Sequence, residues 1–313
     1  MPEFNPVLVK ELRSRMRGPR AFILLTVYLL ILSAVTLLLY AAVGSSSNSG
    51  SDLNAGQRVG KALFLTIAAV ALIEVCVITP ALTSGSIAGE KERQSYDLLI
   101  ASLLSPWQIV WGKLGAALAF ALLLILAVVP VMSLAFLFGG VTLAEVLIAL
   151  TGLVTTAVFY ATVGLFWSAV MRGTLGATIL SLGSIILMLL LIPFLWAIST
   201  IIFARGPNDI MRSAAYIYGG GAFISTHPFI ALGLTEAFLS SGDSAFYSII
   251  RPGGQDFWVP SPWLVYVVLS VLISAILLFF SVRLLRPIPE SRRNKRARRS
   301  AEEDRAESVE RRG

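Results

Sequence analysis

The sequence is poor in residues that build disulfide and metal sites, and it is poor in charge. Its single cysteine, Cys76, excludes a disulfide framework, and its single histidine, His227, excludes a His-rich metal site. We therefore expect no metal ligands in this chain. Only 14% of the residues are charged, whereas about 25% are charged in an ordinary soluble domain. Because so few charges cannot cover a water-facing surface, the composition predicts an integral membrane protein.

Apolar residues are instead concentrated in six long runs. Residues of the AVILMFWYC set make up 56% of the 313 residues, and a helix needs about 20 mostly apolar residues to cross the hydrocarbon core. The alternating pattern of a membrane barrel is absent, so the sequence predicts an all-α membrane domain over residues 21–284. The six predicted spans are Ala21–Val43, Ala62–Ser84, Leu114–Phe138, Leu143–Val170, Leu175–Phe203 and Pro262–Leu284.

The positions of lysine and arginine predict the topology. Most of the 25 basic residues lie before the first span, after the second and fourth spans, and in the tail at residues 285–313. By the positive-inside rule, these segments and both termini lie in the cytoplasm of a multi-pass plasma-membrane protein. The net charge of +7 is then a topology signal, and no nucleic-acid partner is expected. The mixed-charge tail is expected to be disordered, and its basic run would also suit anionic lipid head groups.

Residues 1–20 predict an amphipathic elbow helix that lies in the cytoplasmic interface. Phe4, Leu8, Leu12 and Met16 recur every four residues and therefore share one helix face. Cations occupy the other faces, as they do in helices that lie among lipid head groups. Gly18 and Pro19 end this helix before the first span.

The cytoplasmic loop at residues 85–113 is too long and too regularly patterned for an idle connector. An apolar helix face over residues 96–103 and a capping signal at Ser105, Pro106 and Gln108 predict two short helices. Trp107, Trp111 and Lys113 are predicted interfacial anchors, the lysine by extending its amine to the interface. The charged tip is the predicted docking surface for a cytosolic partner. It comprises Glu90, Lys91, Glu92, Arg93 and Asp97.

The long outer loop at residues 204–261 is rich in aromatic residues. His227 and Pro228 begin a predicted short amphipathic helix, and Gly219–Gly221 is predicted to be a hinge or turn. Two interpretations are open for this loop, a substrate gate and an aromatic-anchored cap, of which the cap is favoured.

Glu74 is a carboxyl group in the middle of the second span. A charge at the bilayer centre costs at least about 2.5–3.5 kcal/mol, so Glu74 should face the bundle or a cavity. It is a candidate contact for substrate or a cation, and an inter-helix hydrogen bond is the alternative. In the fourth span, Gly152, Thr156, Gly164 and Ser168 form a stripe of small residues, which predicts close packing within the subunit rather than a dimer seam.

The loop at residues 85–113 resembles the permease subunits of type-2 ABC transporters, the exporter kind. The resemblance rests on Pro80-Ala81-Leu82, on the run Ile87 to Glu92, and on the run Leu104 to Leu114, which reads LSPWQIVWGKL. Asn5-Pro6-Val7 also looks like the start of that family. Where many relatives have a Gly-Thr pair, this chain has Gln94-Ser95.

The resemblance implies a half-transporter in which two permease chains, copies or different proteins, pack side by side within membrane lipids. Each would dock one ATP-binding subunit through this loop, and substrate would leave from the cytoplasm or inner leaflet outward. ATP and Mg would be bound by that partner, because no G-x-x-x-x-G-K-[ST] phosphate loop occurs here. The chain is therefore expected not to be an enzyme. An ATPase-independent carrier or membrane scaffold is the alternative, and a membrane enzyme has the least support.

Overall fold

The computed structural model describes residues 6–16, 18–46, 55–94, 105–204 and 213–285. Six of its helices are long and apolar enough to cross a membrane. Ten helices in chain order are α1 (Pro6–Met16), α2 (Pro19–Ser46), α3 (Ala55–Ser84), α4 (Ala88–Glu92), α5 (Pro106–Leu137), α6 (Leu143–Val170), α7 (Thr174–Ala204), α8 (Ala214–Ser225), α9 (Pro228–Ser240) and α10 (Pro262–Leu285). A hairpin of β1 (Tyr247–Ile250) and β2 (Phe257–Pro260), joined through a short 3-10 turn at Pro252–Gly254, precedes α10.

The six predicted spans are confirmed as α2, α3, α5, α6, α7 and α10. The clearest difference in bounds concerns the third span. Ser105 caps the backbone N–H of Gln108, and the Gln108 side chain accepts from the Ser105 N–H, so the predicted capping box is present. However, the helix that starts there continues to Leu137. The prediction of a separate short helix was wrong, because nothing between Trp107 and Leu114 interrupts the apolar helix.

Helices α3 and α6 form the centre of the bundle, while α2 and α7 lie at its edge. The small stripe of α6 packs within the subunit, as predicted. A Cβ on Gly164 would lie 2.8 Å from the carbonyl oxygen of Pro80, so only glycine allows α3 to come this close. The Thr156 hydroxyl is 2.7 Å from that of Tyr266, which ties α6 to α10.

Helix α1 packs along the start of α5. Val7 is buried against Gly112, where an added Cβ would lie 2.8 Å from the valine Cβ, and Leu8 lies against Gly115. Of the predicted apolar face, Leu8 therefore contacts α5, Met16 is 44% exposed, and Phe4 lies outside the described residues. We call the end of the bundle that holds α1 and α4 the elbow end.

The opposite end, which we call the hairpin end, holds α8, α9 and the β hairpin. The predicted helix after His227 is confirmed as α9, with the His227 ring accepting from the Ile230 N–H. The prediction of a hinge or turn at Gly219–Gly221 was wrong, because these residues lie inside α8. Gly220 is needed there, since a Cβ would lie 2.5 Å from the Trp196 ring. Helices α8 and α9 meet at a bend of 120°.

The sequence did not predict the hairpin. Strands β1 and β2 pair antiparallel, with Ser248 opposite Val259 and Ile250 opposite Phe257. The indole N–H of Trp263 donates to the carbonyl of Ala245 at 2.7 Å, which fixes the hairpin to the start of α10.

Candidate functional site

Helix α4 carries most of the predicted docking surface, and it is seated deeply at the elbow end. Ile87 and Ala88, at its start, are both fully buried. Their backbone N–H groups both donate to the hydroxyl oxygen of Ser168, each at 2.9 Å. A side chain of α6 thus supplies the cap that the first turn of α4 lacks in its own sequence.

Glu90 of α4 belongs to a buried cluster centred on Lys113. The Lys113 amine donates to Glu90 Oε1 at 2.8 Å, to Glu11 Oε1 at 3.2 Å and to the carbonyl of Ser86 at 2.9 Å. The lysine side chain is 1% exposed, and the two glutamates are 21% and 22% exposed. The three side chains Glu11, Glu90 and Lys113, which we call the elbow cluster, join α1, α4 and α5.

The prediction that Lys113 extends to the interface was therefore wrong. Its amine turns into the protein because two carboxylates and a backbone carbonyl stand within hydrogen-bond reach, and together they replace its water shell. Trp107 and Trp111 are 48% and 44% exposed and pack edge to face at 5.5 Å. Their anchoring role stays a prediction.

Lys91 and Glu92 hold the turn between α6 and α7. The Lys91 amine donates to the carbonyls of Ala169 and Met171, at the end of α6. Glu92 Oε2 accepts from the Thr174 backbone N–H at 3.0 Å and from its hydroxyl at 2.7 Å, at the start of α7. Each charge matches the helix end that it meets, a cation at the carbonyl end and an anion at the amide end.

Two predicted docking residues remain, Arg93 and Asp97. Arg93 is exposed and ends α4, and the following Gln94 has a φ of +58°. Asp97 lies outside the described residues, as does the predicted helix at residues 96–103. The structure thus brings Glu90, Lys91 and Glu92 onto one short helix, and each of them bonds to a different neighbouring helix or turn.

Glu74 lies at a separate position in α3. It is 8% exposed, and neither carboxyl oxygen has a hydrogen-bond partner among the described residues. The hydroxyl of Tyr28 in α2 is also buried without a partner in the described part of the chain. The alternative of an inter-helix hydrogen bond is therefore not realised between described residues.

Sequence reasoning missed a second lysine-centred cluster, at the hairpin end. The Lys61 amine is 3.0 Å from Glu145 Oε2 and is also paired with Glu236. Lys61 is 24% exposed, and Glu145 and Glu236 are 7% and 11% exposed. Glu145 additionally accepts from the Thr142 N–H in a capping box. This trio, the hairpin cluster, joins α3, α6 and α9.

One signal in the sequence could have indicated the hairpin cluster. Three charged residues lie next to apolar helical runs, and the predicted topology places all three on the same side of the membrane: Lys61, Glu145 and Glu236. Buried charges need partners of opposite sign, so such charges on one side are expected to pair.

These features define a polytopic helical membrane protein whose bundle has the short helix α4 bonded to its neighbours at one end and the bent helix pair α8–α9 at the other. The family model described as ABC-2 family transporter protein matches residues 6–216 of this chain. The chain belongs to that family and is the membrane subunit of an ABC-2 family transporter, which implies association with an ATP-binding subunit. A search of curated proteins gave no match. The match includes the elbow cluster and Glu74, and it ends before α9.

Proposed function

We propose that this chain is the permease subunit of an ATP-driven exporter, and that a separate ATP-binding subunit docks at the elbow end in the cytoplasm. Substrate would move from the cytoplasm or inner leaflet outward. The observation that supports this proposal is the seating of α4. A force applied to α4 acts at once on α1 and α5 through Lys113, on α6 through Ser168 and Lys91, and on α7 through Glu92.

This arrangement suits the transmission of motion. Rigid elements with discrete packings can carry coupling between distant sites, and α4 bonds directly to α5, α6 and the start of α7 and, through Lys113, to α1. The five predicted docking residues then divide into two groups. Glu90 and Lys91 hold α4 in place. The proposed contacts to the ATPase are Arg93, Asp97 and the carboxylate oxygen of Glu92 other than Oε2, which bonds to Thr174. ATP and Mg belong to that partner in this proposal, and a second permease chain completes the transporter.

A labelling experiment tests the proposed orientation. Replacing Cys76, the single cysteine, with alanine gives a background into which Arg93→Cys or Ser244→Cys is placed. With a membrane-impermeant maleimide on intact cells, we expect the residue 244 variant to be labelled and the residue 93 variant to react only after permeabilisation. Labelling of the residue 93 variant in intact cells would place α4 outside and defeat the proposal.

A binding experiment tests the docking surface. Arg93→Glu reverses an exposed charge and should weaken co-purification of the ATP-binding subunit about tenfold, in line with the loss of one charged interface contact. Arg58→Glu makes the same change at the hairpin end and should leave co-purification unchanged. Equal co-purification of both variants with the wild-type protein would mean that the ATPase docks elsewhere.

We also propose that Glu74 contacts the substrate or a cation during transport. Its carboxyl group is buried without a partner in the described residues, and because intramembrane carboxyl groups are costly, those that occur usually mark a substrate or ion pathway. Glu74→Gln should lower substrate efflux while the ATP-binding subunit still co-purifies. Glu74→Asp, which keeps the acid, should retain more efflux than the glutamine variant. Unchanged efflux in the glutamine variant would leave Glu74 with a structural role alone.

A further inference from the structure

The hairpin end contains a cavity of 350 Å³ that none of the clusters described above uses. Its walls come from α8, α9, the two strands, the start of α10 and Trp196 of α7. The lining is overwhelmingly apolar, and the size and character are those of pockets that hold small apolar ligands. An apolar cavity of this size next to membrane-spanning helices suits a hydrocarbon chain.

Three residues of the cavity wall carry hydroxyl groups, and two of these groups have hydrogen-bond partners among the described residues. The Ser225 hydroxyl donates to the carbonyl of Gly221 at 2.6 Å, and that of Tyr218 donates to the carbonyl of Trp258 at 3.1 Å. The Tyr216 hydroxyl is buried and has no partner among the described residues, while its ring stacks on Trp196 at 5.5 Å. Because that hydroxyl is buried, it does not face the open space of the cavity, and the accessible wall is almost wholly apolar.

The charged residues of the hairpin lie outside the cavity wall. Ile250 and Pro252 line the cavity, whereas Arg251 between them does not; it is exposed and pairs with Asp256 at 2.7 Å. The cavity therefore offers an occupant an apolar wall, which favours a hydrocarbon chain over a charged group.

We infer that this cavity binds one acyl chain of a lipid-like amphiphile. The inference concerns the hairpin end alone and does not depend on where the ATPase docks or in which direction transport runs. An acyl chain has two sources, a single-chain amphiphile and a bilayer phospholipid. A single-chain probe and a two-chain probe distinguish them.

The GGG segment offers a matched pair of variants. A side chain added at Gly221, which lines the cavity, or at Gly219, which does not, meets open space. Both residues lie in α8, so leucine raises the helix propensity equally at each position. Gly221→Leu should therefore fill the cavity while Gly219→Leu leaves it open.

The test is photo-crosslinking of the full-length protein in phosphatidylcholine nanodiscs, with a diazirine on the acyl chain of either lysophosphatidylcholine or phosphatidylcholine. We expect crosslinks in peptides from residues 214–265 for the wild-type protein and Gly219→Leu, and at least a fivefold loss for Gly221→Leu. Capture of the single-chain probe alone assigns a free amphiphile, and capture of both assigns a bilayer lipid; either result supports the site. Absence of these crosslinks from the wild-type protein with both probes would overturn it.

A second pair of variants covers the case in which Gly221→Leu does not fold. Val265→Phe enters the cavity from α10, and Val268→Phe, three residues on, adds the same ring at an exposed position. Val265→Phe should lose crosslinks and Val268→Phe should keep them. Equal crosslinking of a folded cavity-filling variant and its control would overturn the inference.

Discussion

The two ends of the bundle are held by the same chemistry in different surroundings. In each cluster one lysine pairs with two glutamates from two other helices, so each carries one excess negative charge. Lys113 of the elbow cluster is 1% exposed, whereas Lys61 of the hairpin cluster is 24% exposed. Lys113 also bonds to a backbone carbonyl.

The short helices that the clusters hold are also capped differently. The first turn of α4 is capped by Ser168 of another helix, whereas α9 is capped by His227, the residue just before it. The His227 ring is in turn 3.1 Å from the carbonyl oxygen of Leu189, so the cap of α9 also contacts α7. The two ends therefore differ in how deeply the central lysine is buried and in whether the capping residue belongs to the same segment of the chain.

The largest expected effect is that of Lys113→Met. It leaves Glu11 and Glu90 without their shared cation inside the protein, so the free energy of unfolding should fall by about 3–5 kcal/mol. The unfolding midpoint in detergent measures this loss. Lys10→Met, at an exposed position of α1, is the control and should shift the midpoint little. Equal shifts would show that the elbow cluster does not stabilise the fold.

Lys61→Met should cost less, about 1–3 kcal/mol, because water can take the place of the 24% exposed Lys61 amine, whereas it cannot reach the site of the 1% exposed Lys113. Amide exchange over residues 228–240 should rise, since α9 loses its ion pair to α3. Gln57→Met, one turn earlier and exposed, is the control. A loss as large as that of Lys113→Met would remove the proposed difference between the two ends.

Ser168→Ala tests the difference between the two ends at one helix cap, that of α4. It removes the acceptor for the backbone N–H groups of Ile87 and Ala88, and a lost cap costs about 1 kcal/mol. Those two amides should exchange faster with solvent deuterium, while amides over residues 228–240 stay unchanged. Ser133→Ala, on the exposed surface of α5, is the matched control. Unchanged exchange at residues 87 and 88 would mean that α4 does not depend on this cap.

The smallest effect is expected at the exposed ion pair of the hairpin loop. Arg251 and Asp256 are 70% and 55% exposed, and such pairs contribute about 0–1 kcal/mol. Arg251→Ala should therefore barely move the unfolding midpoint. A loss comparable to that of Lys61→Met would show that the β hairpin, rather than the hairpin cluster, holds this end together.

Local patterns predicted much of the fold. The apolar runs placed all six spans, the capping signal at Ser105 placed the start of α5, and the Pro at residue 228 placed the start of α9. These features depend on neighbours in sequence, so a reading of the chain can find them. The GGG segment shows the limit of such reading, because the close approach of Trp196, and not a turn, explains Gly220.

The sequence by itself determined that this chain spans a membrane, how often it does so, and which loop carries the family's motif. Only the tertiary structure decided which charges meet. Lys113 pairs with Glu11, 102 positions away, and Lys61 pairs with Glu145 and Glu236 on two helices that come later in the chain. Pairing over such separations depends on how the helices pack, and the packing of small residues such as Gly112 and Gly164 sets those distances. The roles of the charged tip at residues 90–93 follow from that packing and not from the order of the residues.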